Sequence, residues 1–144
     1  MKILVPVDGS KYSMEAVKVA STFAKATTSD ISLITVTPFI SGLDLEISAK
    51  ELDSLTEKMR RRGEEVLEQA QSILKSGGVS SRSILSSSVS AADEILGVAE
   101  KEKVDLIIVG NRGLGGAATR FFMGSVALKV VGHAPCSVYI LKTE

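Results

Sequence analysis

Two stretches of this chain hold residue types that can contact a ligand. The first is VGNRGLGGAATRFFMGS, Val109 to Ser125, which holds five of the chain's twelve glycines. So dense a run of glycine weakens helix and strand alike. It suits either backbone amides closing on a ligand or a flexible lid. The second stretch is VPVDGS, Val5 to Ser10. Its Asp8-Gly9-Ser10 reads equally as a turn with a helix cap and as a ligand contact.

Three phosphate-loop chemistries can be compared with the glycine run. A Walker A loop needs a lysine between glycine and serine, and Gly124-Ser125 has none. GLGGAA, Gly113 to Ala118, matches G-x-G-x-x-A. That fingerprint belongs to a first strand–helix turn, with an acidic residue ending the next strand, and neither condition holds. The third reading fits better. Ser125 opens the last helix as its N-cap, and the free amides and dipole of that first turn favour an anion. Gly110 and Gly113 then let the backbone turn sharply and approach the ligand, with Arg112 between them as a contact or a solvated charge.

These residues need elements to position them. KILVPVD (2–8), ISLITVT (31–37), VDLIIVG (104–110) and SVYILK (137–142) are short apolar runs of the kind buried on both faces of a parallel sheet. SSRSILSS (80–87) is a weaker strand pattern around Ile84 and Leu85. Four helical periodicities lie between them. They run through Ala16, Val17, Ala20, Phe23 and Ala24; then through Leu52, Leu55, Met59, Val66, Leu67, Ala70, Ile73 and Leu74; then through Ala92, Ile95, Leu96 and Ala99. The last holds Val126, Ala127, Val130 and Val131. KSGG and HAP terminate the second and fourth helices. PFISGLDLEIS (38–48) has no clean period and reads as a loop.

Strict alternation predicts one α/β domain over residues 1–144: a doubly wound, five-stranded parallel sheet with helices on both faces. In such sheets ligands sit at the carboxyl ends of strands where the strand order reverses. For the order 3-2-1-4-5, Asp8 and Gly110 face one crevice.

Composition narrows the partners. Lys plus Arg equals Asp plus Glu, at 17 each, which argues against a nucleic-acid groove and against attraction to an anionic membrane. No apolar run reaches the length of a membrane-spanning helix, and the first residues lack the pattern of a signal peptide. A single cysteine, Cys136, allows no intrachain disulfide and reads as a packed thiol. A cytoplasmic protein is expected. His133 lies where a cation meets the last helix dipole favourably, and Arg60, Arg61 and Arg62 read as a solvated helix face. Phe121 and Phe122 are candidates to cover a ligand or pack at a subunit interface.

VPVDGS, VDLIIVGNRGLGG and GSVALKVVGHAPCSVYILK together resemble the universal stress protein family, nucleotide-binding type, over essentially the whole chain. Members that bind ATP have glycines separated by two and then nine residues, followed by glycine with serine or threonine. Gly110, Gly113, Gly124 and Ser125 match, but ten residues, Leu114 to Met123, separate Gly113 from Gly124. Arg120 aligns with a position often basic in the family, which places the extra residue within 115–119. SVSAADE also stands where the family has a glycine-x-proline after the third strand.

The resemblance implies ATP as ligand, with Mg2+ as an optional companion. It implies that Pro6 and Val7 line the adenine side and that Val36 offers backbone groups to the adenine edge. Asp8 bonds ribose hydroxyls or helps hold a metal. Gly110, Arg112, Gly113, Gly124, Ser125 and Val126 surround ribose and phosphates. It further implies a homodimer through the last strand, 137–142, and an unidentified protein partner. The expected function is an ATP-binding stress-response regulator in which occupancy orders the 113–124 loop. A dimeric scaffold without nucleotide and a slow ATPase are the alternatives.

Overall fold

A computed structural model describes residues 1–41, 46–113 and 123–143. Among the described residues nine elements alternate: β1 (Lys2–Pro6), α1 (Lys11–Thr27), β2 (Asp30–Pro38), α2 (Ala49–Ser76), β3 (Ser81–Ser88), α3 (Ala91–Lys101), β4 (Leu106–Gly110), α4 (Ser125–His133) and β5 (Ser137–Leu141). All strand pairs are parallel, and the sheet order is β3-β2-β1-β4-β5. The expected α/β architecture and strand order are therefore present.

The period of two along the strands divides the core into two layers. Ile3, Val5, Leu33 and Ile108 face one layer, against Ala16, Val17 and Ala20 of α1 and Val66, Leu67 and Ala70 of α2. Leu4, Ile34, Ile107 and Val109 face the other, against Ala92, Ile95 and Ala99 of α3 and Ala127 and Val130 of α4. Each large aliphatic side chain so buried contributes about 1.5–3 kcal/mol. β1 and β4 are buried on both sides, which is why their sequences run unbroken rather than alternating.

Several boundaries differ from the sequence expectation. β1 ends at Pro6 rather than Asp8, because Asp8 enters the turn that starts α1. β4 starts at Leu106 rather than Val104. Of the apolar stripe read for α2, Leu55 is exposed, while Leu52 and Met59 are only half-buried. Burial on α2 begins at Gly63, where the helix comes down on the sheet. The glycine permits this approach: a Cβ there would lie 2.7 Å from Leu85 Cδ1 and 3.2 Å from Thr35 Cγ2. β2 extends to Pro38, and Phe39–Ser41 with 46–48 carry no regular structure.

The helix starts follow local chemistry. Ser10, Ser48 and Ser90 are the N-caps of α1, α2 and α3, each accepting from an amide three residues on. The fourth helix breaks this pattern. Its N-cap is Gly124, without a side-chain cap, and Ser125 is the first helical residue instead of the expected cap.

Candidate functional site

β1 and β4 lie side by side, and their chains leave in opposite directions across the sheet, to β2 and to β5. At their carboxyl ends opens a cleft of about 510 Å³. That volume is within the usual range for small-molecule sites. All ten residues singled out from the sequence line it: Pro6, Val7 and Asp8 after β1; Val36 on β2; Gly110, Arg112 and Gly113 after β4; and Gly124, Ser125 and Val126 at the start of α4.

The turn after β1 is closely tied. Gly9 adopts φ +87°, which only glycine accommodates readily. Asp8 Oδ1 accepts from the Ser10 amide at 2.9 Å, and the Asp8 amide donates to Ser13 Oγ at 3.3 Å. The Val7 amide donates to Ile34 O at 2.8 Å, and Thr35 Oγ1 donates to Val7 O. Asp8 is thus both a turn-former and a residue that lines the cleft.

Neither Gly110 nor Gly113 has a positive φ; among the described glycines only Gly9 and Gly78 do. Gly110 instead makes room for α1, since a Cβ there would lie 2.9 Å from the backbone carbonyl of Tyr12. A Cβ on Gly113 would lie 2.5 Å from Asp8 Oδ2. Gly124 packs on the Arg112 backbone, with 3.3 Å between a built Cβ and Arg112 Cα.

The two described ends of the glycine run are joined directly. The Gly124 amide donates to Asn111 O at 2.7 Å, and the Asn111 amide donates to Leu141 O at 3.0 Å. Asn111 Oδ1 accepts from the Thr143 amide at 3.3 Å. The buried Asn111 therefore anchors both ends, a role its place in VGNRG did not reveal. Arg120, Phe121, Phe122 and the extra residue within 115–119 lie outside the described residues.

Six lining residues were not anticipated: Ser13, Ile34, Ala91, Ile95, Val109 and Ala127. Ile95, Val109 and Ala127 carried a visible burial signal through their periodicity. Periodicity tells that a residue is covered, not whether a helix or a ligand covers it. Ala91 follows the Ser90 cap, so the SVSAADE segment that lacks glycine-x-proline still supplies a cleft wall. Among the described residues lining the cleft, Asp8 is the only acid and Arg112 the only base.

Two helices that form the apolar wall are linked at the surface. Lys129 Nζ of α4 lies 2.8 Å from Asp93 Oδ1 of α3. The hydrogen bond from Lys129 holds the Asp93 carboxyl below its ordinary range. His133 Nδ1 is 3.1 Å from Lys129 O at the end of α4, away from the cleft-lining residues. Cys136 packs against the core, and burial pushes its thiol pKa up. Arg60 and Arg61 are tied to Glu57 on an exposed face of α2, as a solvated helix face predicts. No helix among the described residues is long and apolar enough to cross a membrane.

Comparison with known proteins extends this likeness to the whole chain. Residues 1–142 match the family model described as the universal stress protein family. Universal stress protein MJ0531 of Methanocaldococcus jannaschii is 35% identical over 144 residues, covering 98% of this chain and 81% of that one. Among solved structures, the universal stress protein UspA of Lactobacillus plantarum superposes with a TM-score of 0.83 at 24% identity, covering 98% of this chain and 97% of that one. A universal stress protein solved in complex with cAMP has a TM-score of 0.76 at 26% identity, covering 100% and 98%. The chain belongs to the universal stress protein family.

Proposed function

We propose that the cleft binds ATP, with Mg2+ as an accompanying ion, and that the protein is a regulatory module of the stress response whose signal is nucleotide occupancy. The carrying observation is the mixed lining of the cleft. It includes the α4 N-terminus, which has no side-chain cap, together with Gly113 and Arg112. It also includes the apolar side chains of Ile34, Val36, Ala91 and Ile95. Amides and a cation suit phosphate oxygens, and an apolar slot suits a flat base.

The residues present fit the ligand. Pro6, Val7 and Val36 would hold the adenine side, and Asp8 the ribose hydroxyls or a metal. Gly110, Arg112, Gly113, Gly124, Ser125 and Val126 would take ribose and phosphates. The cAMP complex supports an adenine nucleotide as the ligand class. Occupancy is the signal, and a protein partner reads it. A homodimer through 137–142 belongs to the same reading, since β5 is an edge strand and Tyr139 on it is exposed.

The test is to denature freshly purified protein and identify the released nucleotide by mass. ATP is expected. Added Mg-ATP should also stabilise emptied protein by about 2.7 kcal/mol at a hundred times its dissociation constant. A preparation that releases no nucleotide and does not change its melting temperature with Mg-ATP would leave the scaffold reading instead.

A further inference from the structure

We propose that Thr35 is a positioning residue for ligand binding: from the back of the sheet it holds the Val7 carbonyl and so aims the Asp8 carboxylate into the cleft. The inference rests on the nucleotide reading above and adds a residue that does not itself line the cleft.

Regular β1–β2 pairing stops at Pro6↔Ile34. One ladder bond continues past it, from the Val7 amide to Ile34 O at 2.8 Å. The Val7 carbonyl is then met by a side chain, the Thr35 hydroxyl, which donates to it in a buried position. Thr35 is only 5% exposed, a polar residue inside the layer formed by α1 and α2. Its methyl is held in turn by the close approach of α2, because a Cβ on Gly63 would lie 3.2 Å from Thr35 Cγ2. The hydroxyl is therefore fixed in direction by packing on its other branch.

The Val7 carbonyl belongs to the Val7–Asp8 peptide. At the opposite edge of the same peptide, the Asp8 amide donates to Ser13 Oγ at 3.3 Å, and Ser13 Oγ donates to Ser10 O at 3.0 Å. The peptide that leads into Asp8 is thus held by one hydroxyl at its carbonyl and another at its amide. Ser13 lines the cleft and can touch a ligand, whereas Thr35 cannot act except through the Val7–Asp8 backbone. Removing the Thr35 hydroxyl leaves a carbonyl without its donor, and that carbonyl would rotate to find one. The rotation would turn the Asp8 side chain away from the ribose hydroxyls it is proposed to bond.

The experiment measures ATP and 2′-deoxy-ATP affinity by titration calorimetry for wild type, Thr35→Val, Thr35→Ser and Thr35→Ala. Thr35→Val is combined in addition with Asp8→Ala. Thr35→Val should weaken ATP binding by about tenfold and 2′-deoxy-ATP by less, so that discrimination between the two falls. Thr35→Ser keeps the hydroxyl and should behave as wild type. On the Asp8→Ala background Thr35→Val should have no further effect. Equal weakening of both nucleotides, persisting without Asp8, would show a merely structural role and overturn the proposal. So would a serine variant as weak as the valine one. If Thr35→Val does not fold, Thr35→Ala carries the same test, and wild-type affinity and discrimination in it would also overturn the idea. Wild-type protein that binds neither nucleotide removes the nucleotide reading together with this one. Normal wild-type binding with an unaltered Thr35→Val removes this one alone.

Discussion

Gly113 lies directly against the Asp8 carboxylate, so that a Cβ built on the glycine would stand 2.5 Å from Asp8 Oδ2. Residues from opposite ends of the chain thereby share one small volume at the divergence of β1 and β4. A methyl group at 113 would displace a side-chain end, which can move, rather than backbone. Gly113→Ala is therefore expected to change folding stability by less than about 1 kcal/mol while weakening nucleotide binding by at least about tenfold. Urea unfolding and calorimetry on the same variant check both halves.

Gly110 offers the opposite balance. A Cβ there would meet the Tyr12 backbone at 2.9 Å, and backbone within a packed helix cannot rotate out of the way. Gly110→Ala should destabilise the fold by about 1–3 kcal/mol through overpacking. A shift of the urea midpoint at unchanged slope is the expected signature.

Helix glycines separate by the same criterion. Gly97 in α3 has nothing within 4 Å of a built Cβ, so Gly97→Ala should stabilise by about 0.4–1 kcal/mol. Gly63 in α2 faces Leu85, Thr37 and Thr35, the nearest atom at 2.7 Å. There the gain in helix propensity is outweighed, and Gly63→Ala should lower the melting temperature. Opposite signs for the same substitution in two helices are the outcome to look for in thermal unfolding.

The exposed network on α2 predicts an acid-side effect. The hydrogen bond from Arg60 lowers the Glu57 pKa from 4.5 to about 2. A carboxyl that is more acidic in the folded state adds stability above about pH 4.5 and loses it as pH falls towards 2. Arg60→Gln should return the Glu57 titration, followed by carboxyl NMR shifts, towards 4.5. The stability difference from wild type should be small at neutral pH, because the pair is exposed, and should vanish near pH 2.

The wall formed by α3 and α4 gives a salt-sensitive prediction. Lys129→Met removes the partner of Asp93, so the Asp93 carboxyl should titrate at a higher pH than in wild type. A raised salt concentration should shift wild-type Asp93 in the same direction and leave the variant little changed. Both are read from the Asp93 carboxyl resonance.

Much of the fold was legible because buried parallel strands announce themselves. KILVP and LIIVG are apolar on both faces and flanked by residues that stop a strand. β3 was faint because it is an edge strand, only part-buried, with serines on both faces and two aliphatics at its centre. The first turns of α2 are helical as their period predicts, but an apolar stripe marks a face without showing how far the sheet beneath it extends. Leu55 keeps the period yet lies exposed. The candidate site was legible where it depends on residue type: glycine, aspartate and serine at the ends of strands. It was hidden where it depends on contact, as at Ile34 and Ala91, which look like ordinary core and helix-start residues.

By itself the sequence determined the element order, the two-sided burial of the central strands and the set of residues at the carboxyl ends of β1, β2 and β4. Those properties follow from local periodicity and from the few residue types that tolerate tight turns. Only the tertiary structure decided what each glycine is for. Gly110 admits the α1 backbone, Gly113 admits the Asp8 carboxylate, and Gly124, not Ser125, caps α4. It also decided that Thr35 holds Val7 from behind the cleft. The reason is physical: space and hydrogen-bond partners at a residue are set by segments tens of positions away, and these meet only once the sheet has formed.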